Sequence, residues 1–131
     1  MSYQKTLSLD FDGVLHLYSS GWKGADVIPD PPVPGAIQAL LGYMEHFQVA
    51  IFSSRSGQEG GLGAMRAWLV DHLTLEVEGL SVDDAKSIVA DIQWPTEKPP
   101  AHVTIDDRAF QFEGVWPSVE LIAEFKPWNK R

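Results

Sequence analysis

The chain has 131 residues with 18 Asp and Glu against 10 Lys and Arg, a net charge of −8, and no cysteine. That length bounds it to one domain, 1–131, with a modest core. The missing cysteines exclude disulfides, thiolate metal sites and cysteine nucleophiles, and the acidity argues against a general nucleic-acid or anionic-membrane surface. Met1 to Lys5 carry no apolar signal-type stretch and no run approaches the roughly 20 apolar residues of a membrane span, so a cytoplasmic chain without a membrane partner is expected.

In chain order, Leu7-Ser8-Leu9 reads as a short apolar strand that stops at Asp10-Phe11-Asp12-Gly13. Residues 14–34 mix aromatics, glycines and prolines and read as an irregular, flap-like loop or small hairpin. Pro34-Gly35 open a helix with Ile37, Leu40, Leu41 and Met44 on one face, Pro34 suiting its first turn. Residues 48–52 form a buried strand ending at Ser53-Ser54-Arg55, and Leu62, Met65, Leu69 and Leu73 predict a helix over 62–73. Ser81 caps a short helix through about Ala90, Ile92-Gln93-Trp94 make a brief strand, Val103-Thr104-Ile105 another, and 118–124 a last short helix. This alternation predicts an α/β fold: a three-layer, Rossmann-like sandwich whose central parallel sheet is covered on both faces.

Polar residues recur where the strands stop: Asp10 and Asp12, then Ser53 and Ser54, then Asp106 and Asp107, with Lys98 before the last strand. In an open parallel sheet those ends line one crevice, where ligands bind. Carboxylates gathered there repel one another, at about 4 kcal/mol for a pair roughly 4 Å apart at an effective dielectric near 20. A hard divalent cation relieves this, and oxygen ligands without Cys or a spaced His pair favour magnesium, which commonly shares its shell with a substrate phosphate.

These residues resemble the four ordered motifs of the haloacid dehalogenase (HAD) superfamily of phosphohydrolases. The first, a strand followed by Asp-x-Asp-Gly, stands as Leu7 to Gly13; the second, a hydroxyl residue after a strand, as Val49 to Ser53; the third, a lysine, best as Lys98; the fourth, an acidic pair, as Ile105-Asp106-Asp107. The resemblance implies that Asp10 is the nucleophile, forming an aspartyl-phosphate, and Asp12 the general acid and base. It further implies that Mg2+ is held by Asp10, the Asp12 backbone carbonyl and one of Asp106 and Asp107, Asp107 being favoured. Ser53, or Ser54 if the strand runs one residue further, binds a phosphoryl oxygen, and Lys98 neutralises its charge. Lys98 stands only eight positions before Asp106, a short interval for this superfamily, and Lys86 is the alternative. The segments where the family inserts cap domains are short here, so the resemblance is to a small capless member.

Arg55 and Arg108 follow motif residues and stand ready for phosphate or a neighbouring acid. His16, His46, His72 and His102 show no ligand spacing, Trp22 and Lys23 either face a leaving group or cover the core edge, and Trp68, Trp94, Trp116 and Trp128 are expected to pack. The function expected is a magnesium-dependent phosphatase acting on a phosphate monoester, a small molecule for preference. The alternatives are a regulatory module that binds metal or phosphate without turnover, and a polynucleotide-end phosphatase, which the net charge disfavours. A response-regulator receiver fits poorly, because it keeps its acidic pair early and its phospho-accepting aspartate on the middle strand.

Overall fold

The computed structural model describes residues 4–131. Met1, Ser2 and Tyr3, part of the stretch read above for a targeting signal, lie outside the described residues. Strands β1 (Thr6–Leu9), β2 (Gln48–Ile51) and β3 (Val103–Ile105) form a parallel sheet in the order β2-β1-β3. The strand expected at 92–94 is reduced to one parallel bridge, Gln93 to Ala50, with the Gln93 backbone bonded to Val49 and Ile51. Four α-helices are present among the described residues: α1 (Ala36–Met44), α2 (Gly61–Glu76), α3 (Val82–Ala90) and α4 (Val119–Ala123). The α/β class and parallel sheet thus agree with the sequence pattern, and no helix among the described residues is long and apolar enough to cross a membrane.

Local chemistry accounts for most boundaries. α3 begins with a capping box, in which the Ser81 hydroxyl accepts from the Asp84 N–H while the Asp84 carboxylate accepts from the Ser81 N–H. α1 starts two residues later than predicted: Gly35 adopts a left-handed φ of 85° as N-cap, and Pro34 stays in the turn before it. α2 has no side-chain cap at Gly60. It is held by the burial of Met65, Trp68, Leu69 and Leu73, each contributing about 1.5–3 kcal/mol, against a few tenths of a kcal/mol for a glycine in place of a capping side chain.

Register gives the sheet two unlike faces, because in-register residues of parallel neighbours point the same way. Leu7 aligns with Val49 and Val103, and Leu9 with Ile51 and Ile105, making an apolar face; Ser8 aligns with Ala50 and Thr104, making a small and partly polar one. α1 packs against β2, its Ala36 and Leu40 lining a cavity of about 210 Å³ with Leu9 and Ile105, and α2 packs against α1 and α3. The crossing from Gln93 back to β3, residues 94–102, contains no helix. α4 stands away from the sheet, with Val119 80% and Leu121 56% exposed, and Val103 on edge strand β3 remains 48% exposed. The side of the sheet at β3 is therefore open where cover on both faces was expected.

Residues 14–34 form the irregular flap anticipated, closed at its base by the pairing of His16 with Pro32 and by the Leu17–Pro31 and Val33–Leu15 backbone bonds. The Trp68 indole N–H donates to the Asp30 carbonyl at 3.0 Å, fixing the flap to α2.

Candidate functional site

Asp10 leaves the end of β1 with its N–H bonded to the Ile105 carbonyl at 2.9 Å, so the first acid is tied to the strand that delivers the last pair. Phe11 turns into the core, fully buried and edge-on to Trp68 at 5.0 Å. Alternation then sends Asp10 and Asp12 the other way, towards the crevice. Gly13 follows at φ 81°, and a Cβ there would collide with the Asp107 carboxyl group. Only glycine lets the β3 acid come up behind the first motif.

The crevice has an acidic side. Asp10, Asp106 and Asp107 each offer a carboxylate oxygen, all within 4.8 Å of one another. Burial, the adjoining Asp107 carboxyl and the charges of Asp106 and Asp107 push Asp10 from 3.8 up to about 8, although the Phe11 N–H bonds its carboxylate. Burial likewise raises Asp107. Three crowded oxygen donors, with no nitrogen or sulfur among them, could hold a hard metal ion. The Asp12 carboxylate is not among them.

Asp12 instead meets donors. Its Oδ1 lies 2.9 Å from His16 Nδ1, and Arg55 Nε donates to Oδ1 at 3.2 Å and to Oδ2 at 3.0 Å. Of the two partners expected for Arg55, phosphate or a neighbouring acid, it takes the acid; it is fully buried, with Nη1 donating to the carbonyls of Gly24, Ala25 and Val27 in the flap and Trp22 stacked over its guanidinium at 4.7 Å. Trp22 thus covers Arg55.

Ser53 is buried just past β2; its N–H donates to Ser56 Oγ at 3.0 Å and its Oγ accepts from the Arg55 N–H at 3.2 Å, leaving the hydroxyl proton for a ligand. A cavity of about 170 Å³ brings together Asp10, Asp12, Ser53, Ser54, Asp107 and Arg108. A second, of about 460 Å³, shares Asp10, Ser53, Ser54 and Arg108 and extends along the small-residue face past Ser8 and Thr104 to Asp106 and Lys98. Lys98 therefore lines the same crevice as Asp10, whereas Lys86 lines a separate groove with Arg66 and Trp94.

Three participants escaped the sequence reading. Tyr18 lines the smaller cavity beside Asp12 at φ 63°, a left-handed conformation rarely taken by a non-glycine residue and one that no residue type announces. Burial and the Asp12 charge push its hydroxyl pKa upwards. Asp30 anchors the flap: burial would raise its pKa, but the Ser20 hydroxyl and N–H bonding its carboxylate outweigh this and hold it low. Trp128, expected only to pack, donates its indole N–H to the Gly13 carbonyl at 2.7 Å, while Trp116 is 82% exposed and does not pack as expected. Searches for a matching family model, a similar curated protein and a similar solved structure found none.

Proposed function

We propose that the chain is a magnesium-dependent phosphatase that hydrolyses a phosphate monoester through an aspartyl-phosphate on Asp10, in the manner of a small capless HAD phosphohydrolase with a Rossmann-like core. The observation that carries this reading is the convergence of Asp10, Asp12, Ser53 and Asp107 on one small cavity from three separate stretches of chain. When bound, a divalent cation keeps the Asp10 and Asp107 carboxyl groups ionised and offsets phosphoryl charge. Asp10, Asp107 and Asp106 would supply its side-chain oxygens, and the family resemblance adds the Asp12 backbone carbonyl.

An Asp10 oxygen attacks phosphorus as the bond to the leaving oxygen breaks, and Asp12, carrying the proton it took from water in the preceding turnover, gives that oxygen its proton and is left as the carboxylate that His16 and Arg55 bond. Asp12 then takes a proton from water, whose oxygen attacks phosphorus and displaces Asp10, releasing phosphate. Ser53 donates its hydroxyl to a phosphoryl oxygen, with Lys98 and Arg108 as nearby positive charge. The −8 charge favours a small phosphate monoester over a nucleic-acid end, although a crevice without a cap domain has room for either.

The test is phosphate release from a panel of sugar phosphates, nucleotides and end-phosphorylated oligonucleotides, with and without Mg2+, by the native chain and Asp10→Asn. Release by the native chain alone, and only with metal, is the expected result. Metal binding without turnover of any ester supports the regulatory-module reading, and full activity of Asp10→Asn removes Asp10 as nucleophile.

A further inference from the structure

Nothing in the proposed chemistry requires a histidine, yet His16 is fully buried within hydrogen-bond distance of the Asp12 carboxylate. Its other ring nitrogen settles the proton's location. The Asp30 backbone N–H donates to His16 Nε2 at 3.1 Å, and a backbone amide can only donate; the Asp30 carboxylate, 3.7 Å from the same nitrogen, is beyond hydrogen-bond reach, so Nε2 is bare and the ring proton sits on Nδ1, directed at Asp12. Three rings hold the imidazole: Phe11 stacked at 5.7 Å, Trp68 edge-on at 5.7 Å and Tyr18 edge-on at 5.9 Å.

Arg55 approaches Asp12 through Nε alone. Nη1 is spread over three flap carbonyls and Nη2 is buried without a partner, so the Nε and Nη1 bonds fix the guanidinium plane. A carboxylate held by one donor can still swing about its last bond, whereas one held by two fixed donors on different elements cannot. His16 and the Asp30 amide belong to the flap, as do the carbonyls that hold Arg55.

We infer that His16 and Arg55 are positioning residues for Asp12, and that through them the flap sets the direction in which Asp12 delivers its proton. This rests on the phosphatase reading, in which Asp12 protonates the leaving oxygen. Its consequence is a dependence on the leaving group. An alkoxide needs the proton as the phosphorus bond breaks, while p-nitrophenolate leaves without it, so loss of Asp12 alignment slows alkyl esters selectively.

The experiment compares glycerol 2-phosphate with p-nitrophenyl phosphate, both with Mg2+, for the full chain and its His16→Leu and His16→Asn variants, the asparagine amide replacing the Nδ1–H donor. The expected result for His16→Leu is a fall in kcat of about 10- to 100-fold on the alkyl ester and less than about 3-fold on the aryl ester, with His16→Asn restoring most of the difference. Equal losses on both esters, or none on either, overturn the inference. A native chain inactive on both esters defeats the phosphatase reading itself, before any variant is compared. The His16 tautomer, read from two-bond 15N couplings in the native protein, decides the matter if His16→Leu does not fold: Nδ1–H is required, and Nε2–H overturns the assignment.

Discussion

The two sides of the crevice treat the same residue type in opposite ways. Asp10 is crowded by Asp106 and Asp107 and driven up to about 8, whereas Asp12, two residues on, receives His16 and Arg55 donors. One side crowds three carboxylates, with Arg108 and Lys98 lining the same crevice; on the other, donors from His16 and Arg55 already meet the carboxylate. The difference teaches that surroundings, rather than residue identity, give two neighbouring carboxylates separate tasks.

The contrast is broken most severely on the acidic side. Asp107→Asn should weaken Mg2+ binding, measured by calorimetry, by at least the roughly 100-fold that loss of an outer-shell partner reaches, and Asp106→Asn by less. Equal effects would make both acids ligands of equal weight. Gly13→Ala should follow, because the new methyl group meets the Asp107 carboxyl and the backbone sits at φ 81°. A loss of about 1–3 kcal/mol in urea unfolding, with weaker Mg2+ binding, is expected.

A pH series in a chelator sharpens the same contrast. Asp10 in the folded, metal-free chain keeps its proton up to about 8, while the unfolded chain releases it near 3.8, so this contribution to stability is fully present below 3.8 and is lost as pH rises to about 8. Asp10→Asn should therefore gain Tm over the native chain progressively across that window, and saturating Mg2+ should restore the native protein. A constant Tm difference from pH 4 to 8 would contradict the crowding of the acidic side. The smallest effect is expected at Trp128→Phe, which removes one bond to the Gly13 carbonyl and should cost about 0.5–1.5 kcal/mol in urea without altering Mg2+ affinity.

The acidic side was legible in the sequence because its residues sit at strand ends, and strand ends are marked by the change from apolar to polar residues. Asp10, Ser53 and Asp107 meet in one cavity for that reason. The donor side was not legible. His16 carries no ligand spacing, Arg55 reads equally as a contact to phosphate or to a neighbouring acid, and the bonds that direct both run through backbone groups of the flap, which have no residue signature. Tyr18 was hidden for a similar reason, since its left-handed backbone follows from the flap's closure rather than from its side chain. In the fold, Val103-Thr104-Ile105 reads as a covered strand, but apolar content cannot tell an edge strand from a central one, and no helix docks beside Val103.

Phosphoryl transfer to Asp10 is the central claim about this crevice. Asp12→Ala, which slows release of the bound phosphoryl group, should be mixed with p-nitrophenyl phosphate and Mg2+, acid-quenched within one turnover, and mapped by peptide mass spectrometry. The account predicts a burst of p-nitrophenol accompanied by a phosphoryl group on the peptide containing Asp10; a burst with that peptide unmodified, or with the phosphoryl group on another residue, would contradict it.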